Sequence, residues 1–333
     1  MENGKNITIS DVANALNISK TTVSRAISGK GRIGAQTRQR VLDYIEKNDY
    51  RPSLVAQGLA MSKTLNIGVA MPPRYELMDL PFFQNCMYGI HEMATSLGYD
   101  ILLTFCDNMD ISHLERIVNY HKVDGIILMR SYTEDREIEL LQKKKIPFVV
   151  IGSTNYSDVY QIDHDHLEAC RELVSILLMK QLTRLALIGG DDRLVVTQNR
   201  FKGFRKAYED LKMNYDDKLI YMNYDKAPMI EKAMDDILQK RVDCIVCMDD
   251  SICTQVLKDC HKRGILIPEQ MRLVSFYNST VLENNLPPVT SLSFGVRDLG
   301  MQAARMLIDQ MEDRETAKKV LLGYEVVLKE STK

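Results

Sequence analysis

"NISKTTVSRAISGKGRIGAQTR", Asn17 to Arg38, carries five lysine or arginine residues, six hydroxyl side chains and no acid, in a 333-residue chain whose formal net charge is −2. Ser19 is a good N-cap for a helix in which Val23, Ala26 and Ile27 recur at i, i+3 and i+4 and face inward. Lys20, Thr21, Ser24, Arg25 and Ser28 remain outward, a polar and cationic face with little bulk. Upstream, Thr8-Ile-Ser-Asp11 fits a capping box, so a short helix runs to about Leu16 with Val12, Ala13 and Leu16 on one face. Asn17 stands where the chain turns sharply, since asparagine tolerates the left-handed conformation, and Ile18 plugs the turn. Downstream, a third helix from about Ala35 to Lys47 packs Val41, Leu42 and Ile45 against the other two.

Helix, tight turn and polar second helix make a helix-turn-helix, whose second helix lies in the major groove of DNA. Arg25 suits the two acceptors of guanine, and Lys20 and Thr21 at the helix start suit base edges. Ser19, Thr22, Ser24 and Arg32 suit phosphates, which fix register without reading sequence. Thr37 and Arg38 can add phosphate contacts, and Thr8 and Ser28 complete the candidate DNA-binding set. A solvated bundle with a chance basic face is the competing reading; cap, turn residue, spacing and charge together argue against it. Residues 1–64 sum to +5 and the remainder to −7, so only the head is suited to a polyanion.

Length and ordinary composition bound the rest. The chain exceeds usual single-domain size, with 45% hydrophobic and 26% charged residues. No apolar run long enough to span a bilayer and no secretory leader is present, and a cytoplasmic protein with no membrane partner is expected. Seven scattered cysteines fit a reducing compartment. Cys244 and Cys247 lie in "VDCIVCM", a buried strand whose neighbours three apart point to opposite faces, so core thiols are expected rather than zinc ligands.

"ITISDVANALNISKTTVSRAISGKGRIGAQTRQRVLDYIEKNDYRPS" resembles the DNA-binding head of the lactose/galactose repressor (LacI/GalR) family, in which D-V-A, T-V-S-R, T-R-x-x-V and G-Y-x-P-N recur. Asp49 stands where that family usually has glycine, and Ser53 where it usually has asparagine. The resemblance implies a hinge in "SLVAQGLAMSKT" that pairs with its copy in a homodimer. It also implies that Leu59 wedges between base pairs in the minor groove. The hinge is too short for an isolated helix, and Gly58 weakens it further, so folding only on DNA is expected.

From Leu65 on, apolar runs ("NIGVAM", "YDILLTF", "VDGIILM", "IPFVVIG", then "RLALIGG", "VDCIVCM", "RLVSFYN") alternate with helical patterns. The expected fold class is α/β: a three-helix head (1–51), a hinge (52–64) and a two-lobed body (65–333) with doubly wound parallel sheets. Lobe one is expected at about 65–161 and 292–320, and lobe two at about 162–291 and 321–333. The resemblance adds that the body is similar to periplasmic sugar-binding proteins.

A ligand in such sheets lies beyond the carboxyl ends of the strands, in the cleft between lobes. The candidates there are Phe82, Phe83, Arg130, Ser131, Tyr132, Arg200, Asp249 and Tyr277. Phe82 and Phe83 suit either stacking on a sugar or base face or a place in the core. The resemblance implies that Arg200, in an R-x-x-G-F motif, binds an effector and that Asp249 accepts from its hydroxyls, while Asp250 caps the following helix. Tyr277 stands where the family commonly has an acid and Ser275 where it has glycine; Met129 and Gly152 leave apolar or empty positions. An aromatic, weakly anionic pocket suits a sugar, and "RSYTEDREIELLQKKKIPFVVIG" faintly resembles the maltose-type regulators.

"LIGGDD" lacks the third glycine and the following acid of a dinucleotide site. With no paired catalytic carboxylates, nucleophile elbow or phosphate loop, no enzyme activity and no cofactor or metal is expected. The expected function is a sequence-specific DNA-binding transcriptional regulator, a repressor. Its partners are double-stranded operator DNA, a second copy of itself and a small sugar-like effector. The alternatives are control by a partner protein, as in the catabolite-control branch, or by a nucleobase corepressor.

Overall fold

The computed structural model describes residues 7–28, 31–48, 50, 63–73 and 81–333. Two units divide the chain, Met1–Thr64 and Leu65–Lys333.

In the first unit, α1 (Ile9–Leu16), α2 (Lys20–Ser28) and α3 (Ala35–Lys47) pack on one another. Thr8 caps α1: its backbone N–H donates to Asp11 Oδ2 at 2.8 Å, and its hydroxyl accepts from the Asp11 N–H at 3.4 Å. Asn17 ends α1 in the left-handed region, φ 52°, and Ile18 N–H reaches back to the Ala13 carbonyl at 3.0 Å. Ser19 caps α2 by accepting from Thr22 N–H at 3.1 Å. Val12, Ala13, Val23, Ala26, Val41 and Tyr50 form the core. Leu42 departs from the expected packing: it is 38% exposed, and Tyr44 and Ile45 pack inward with Val41 instead. The inward positions of α3 run i, i+3, i+4 from Val41, and Leu42 lies about 100° around the helix from them.

The second unit is α/β. One six-stranded sheet has β1 (Asn66–Met71), β2 (Asp100–Phe105), β3 (Gly125–Leu128), β4 (Phe148–Ile151), β5 (Tyr160–His164) and β11 (Lys319–Leu322), in the order β11-β5-β4-β3-β1-β2. The other has β6 (Leu185–Ile188), β7 (Ile220–Tyr221), β8 (Cys244–Cys247), β9 (Arg272–Ser275), β10 (Thr290–Phe294) and β12 (Tyr324–Val327), in the order β12-β10-β9-β8-β6-β7. Each sheet is covered on both faces, which is why the inner strands β1, β3, β4, β6 and β8 read as continuous apolar runs. In the first lobe, α4 (Pro81–Ser96) and α11 (Val296–Met311) cover one face, and α5 (Ser112–Asn119) and α6 (Arg136–Lys144) the other. In the second, α7 (His166–Met179) and α8 (Val195–Asp210) lie opposite α9 (Ala227–Gln239) and α10 (Asp250–Arg263). Cys244 packs on the α7/α8 face and Cys247 on the α9/α10 face, and burial pushes both thiols well up from their usual range.

Two expectations need correction. The lobe changes fall a few residues later than expected, after His164, Phe294 and Leu322, because β5 and β10 continue through polar residues into the next crossing. The second sheet is not wholly parallel, since β12 runs antiparallel to β10. Only Gly323 separates β11 from β12, so the chain leaves one sheet at its carboxyl edge and enters the other at the same edge without room to reverse. None of the described helices is long and apolar enough to cross a membrane.

Candidate functional site

On the head, α2 turns Val23 and Ala26 into the core, leaving Lys20, Thr21, Ser24 and Arg25 exposed along one edge. The stem of Arg25 runs beside Gly31, whose φ of +91° suits glycine and where an added Cβ would lie 3.2 Å from Arg25 Cδ. Gly31, without a side chain, therefore leaves room for that stem. Thr8, Ser19 and Thr22 are engaged in caps: the Thr8 hydroxyl donates to Asp11 at 2.7 Å, and the Ser19 and Thr22 hydroxyls are 2.8 Å apart. Arg32 is exposed and Thr37 half-buried. Ser28 ends α2. Leu59 and hinge residues 52–62 lie outside the described residues, as does Asp49.

In the body, a cavity of about 310 Å³ opens at the carboxyl ends of both sheets. All eight residues expected at an effector site line it: Phe82, Phe83, Arg130, Ser131, Tyr132, Arg200, Asp249 and Tyr277. The strand ends bring them together, Arg130 to Tyr132 following β3, Asp249 following β8 and Tyr277 following β9. Phe83 is buried in the first lobe's core. Phe82 is half-buried, edge-on to Phe83 at 5.2 Å and to Tyr277 at 6.0 Å. Tyr277 also stacks with Phe294 at 6.1 Å, so an aromatic wall spans the lobes. Gly152, at φ +129°, admits Ser131, whose hydroxyl donates to the Ser153 carbonyl at 2.7 Å. The Tyr132 hydroxyl accepts from Arg130 at 3.4 Å.

Arg200 projects from α8, is 9% exposed and donates to the Met248 carbonyl at 2.6 Å. Its Nε is buried without a protein partner. Asp249 caps α10 by accepting from Ile252 N–H at 2.8 Å. The cap expected of Asp250 is thus made by Asp249, because the helix starts one residue earlier. Asp250 is buried instead, pushed up to about 6 by burial and by the Asp249 charge. Burial also raises Asp249, partly offset by its own backbone hydrogen bond and by Arg200.

The cleft is more acidic than the sequence suggested. Asp107, Asp163, Asp191, Asp225 and Asp250 join Asp249 in the lining, against Arg130, Arg193 and Arg200. Asp191 is spent on Arg193 Nη2 at 2.7 Å. Asp163 and His166 were missed because Asp163 lies inside β5, a strand with no apolar run, and His166 opens α7 ahead of that helix's apolar residues; the signal was the polar "YQIDHDH". At one margin the lobes are joined by backbone, Thr133 N–H donating to the Arg193 carbonyl at 2.9 Å and Val195 N–H to Ser131 at 3.2 Å.

Residues 8–53 match the family described as bacterial regulatory proteins, lacI family, and residues 174–332 match the periplasmic binding protein-like domain. Over 332 residues, 98% of this chain and 99% of the relative, the chain is 27% identical to catabolite control protein A of Staphylococcus aureus. Among solved structures, the fold is similar to a lac repressor dimer bound to operator and the anti-inducer ONPF. That likeness has a TM-score of 0.82 at 20% identity, covering 98% of this chain and 99% of that one. It is also similar to a complex of the transcriptional regulator CelR with cellobiose, with a TM-score of 0.73 at 24% identity over 98% and 99% of the two chains. The DNA-binding head, the two-lobed body and these matches together place the chain in the lacI family of bacterial transcriptional regulators.

Proposed function

We propose that the chain is a dimeric repressor that binds a near-palindromic operator through two heads and releases it when a small neutral sugar occupies the cleft. Phosphate contacts by the basic head give salt-dependent affinity, and two recognition helices on one dimer supply sequence discrimination. The observation that carries the sugar assignment is the cavity lining, in which the buried Arg200 lies with an aromatic wall and carboxylates. Rings and hydroxyl acceptors of that kind suit a polyol presenting one apolar face. The cellobiose complex of CelR supports the same class. By linkage, a sugar that weakens operator binding must itself be bound more weakly by the operator complex.

Similarity to catabolite control protein A over 98% of the chain favours a second reading, in which a partner protein on the body sets operator affinity. The two separate in one experiment. Genomic fragments retained by the purified protein are titrated by fluorescence anisotropy with and without maltose, cellobiose, glucose and galactose. A sugar that shifts the operator Kd supports the first reading; a high-affinity operator indifferent to every sugar supports the second.

A further inference from the structure

Leu194 precedes α8 but gives it no side-chain cap, so the first N–H of that helix, on Val195, needs an acceptor from elsewhere. The other lobe supplies it: Val195 N–H donates to the Ser131 carbonyl at 3.2 Å. Thr133 N–H donates in return to the Arg193 carbonyl at 2.9 Å, and Tyr132 and Leu194 face each other in an antiparallel bridge. Bonds placed on either side of a facing pair define the non-hydrogen-bonded register, in which the Cα atoms stand about 4.5 Å apart. A segment of one lobe thus pairs, backbone to backbone, with a segment of the other.

Each segment is set by an aspartate of its own lobe. Asp135 is fully buried; its Oδ2 accepts from Tyr132 N–H at 2.9 Å, and its Oδ1 accepts from Glu137 and Ile138 N–H at 3.0 Å, which ties the segment to the start of α6. Across the joint, the Asp191 carboxylate accepts from Arg193 N–H at 3.0 Å and from Arg193 Nε at 2.9 Å. The Asp191 carbonyl accepts from Leu194 N–H at 3.2 Å. These aspartate bonds stay within one lobe, and the bonds between lobes use backbone atoms. Where the segments are held therefore decides whether they meet.

We infer that residues 131–133 and 193–195 form a latch that holds the two lobes together by protein contacts alone, with Asp135 and Asp191 as its positioning residues. Opening it removes the cap of α8, the helix that carries Arg200, and parts the cavity lining at Ser131, Tyr132, Arg193 and Leu194.

The test is hydrogen exchange of the full chain, with no sugar added, read at single amides. In the wild type, Thr133 and Val195 should exchange at least about a hundredfold more slowly than in a free chain. Asp135→Ala alters the first lobe and should speed Val195, in the second, by about tenfold, with Phe204 and Ala207 in the middle of α8 unchanged. Asp191→Ala should speed Thr133 likewise, with Leu141 in α6 unchanged, and it decides the question where Asp135→Ala does not melt cooperatively. A merely local role for either aspartate would move amides of its own lobe alone. Tyr132→Cys combined with Leu194→Cys, at a spacing that a disulfide accepts, should crosslink with oxidised glutathione. The oxidised form should then exchange Thr133 and Val195 more slowly than the same protein reduced. Free-chain exchange at both amides of the wild type overturns the latch, as does failure of the paired cysteines to crosslink. Effects confined to the altered lobe in the folded variants overturn the positioning roles while the pairing stands.

Discussion

Gly203 lies one turn beyond Arg200 on α8, where that helix crosses α7, the helix that begins with His166. A Cβ built at Gly203 would lie 2.3 Å from the Leu167 carbonyl oxygen, 2.9 Å from Cys170 Cβ and 3.1 Å from Arg171 N. The first contact is about 1 Å inside an ordinary carbon–oxygen approach, and the obstacle is helix backbone, which cannot rotate away as a side chain can. Gly203→Ala must therefore part α7 and α8 by on the order of 1 Å. Overpacking of this kind costs about 1–3 kcal/mol, whereas alanine gains about 1 kcal/mol over glycine in a helix interior. With two further close contacts the cost falls at the upper end of its range, for a net loss of about 1–2 kcal/mol. For a body of this size the melting temperature should drop by about 2–8 °C in differential scanning calorimetry. The same displacement shifts Arg200 within the cleft lining, so affinity for any cleft sugar should fall as well. A Gly203→Ala protein that melts at or above the wild-type temperature would show that helix propensity, and not the crossing, governs this position, and the close approach holding the cleft floor would be refuted.

Other outcomes follow from single contacts. Thr8→Ala removes the hydroxyl cap of α1, about 1 kcal/mol, and should speed amide exchange at Asp11 and Val12 about fivefold by hydrogen-exchange mass spectrometry; unchanged exchange would deny the cap. Asn17→Val forces a β-branched residue into φ 52° and should destabilise the head by about 1–2 kcal/mol, while Asn17→Gly should be nearly neutral. Glu137 is pushed up to about 8, by burial first and then by the Asp135 charge. Folding thus holds a proton that the unfolded chain releases near pH 4–5, so this residue's contribution to stability is full in acid and falls as pH rises toward 8. Glu137→Gln, neutral throughout, should gain on the wild type between pH 5 and pH 8 in urea denaturation; a constant difference would contradict a protonated Glu137.

The head was legible almost residue by residue because local chemistry decides it. A cap, a left-handed asparagine and i, i+3, i+4 spacing each act within a few residues, and the structure places α1, α2 and α3 accordingly. Leu42 failed because its neighbour Val41 has nearly the same hydropathy and only the helical phase, set by Tyr44 and Tyr50, separates them. In the body, strands buried on both faces stood out as apolar runs, whereas β5 did not. Its Gln161, Asp163 and His164 are buried by hydrogen bonding and ring packing rather than by hydrophobicity. Asp163 and His166 were hidden for the same reason: their place depends on where the chain crosses between lobes, a long-range fact that spacing does not carry. Asp249 and Asp250 exchanged roles over a one-residue difference in where α10 starts.

The claim on which the account depends is that the exposed Lys20, Thr21 and Arg25 edge of α2 reads a specific duplex. The most direct measurement is the ratio of Kd values for a selected genomic fragment and a random duplex of equal length, at fixed moderate salt, for the wild type and Arg25→Ala. The account predicts a wild-type preference of at least about a thousandfold, and a loss of about five- to hundredfold on the selected fragment in Arg25→Ala, with little change on random duplex. Equal wild-type affinity for both duplexes, or a selectivity that Arg25→Ala leaves intact, would contradict it.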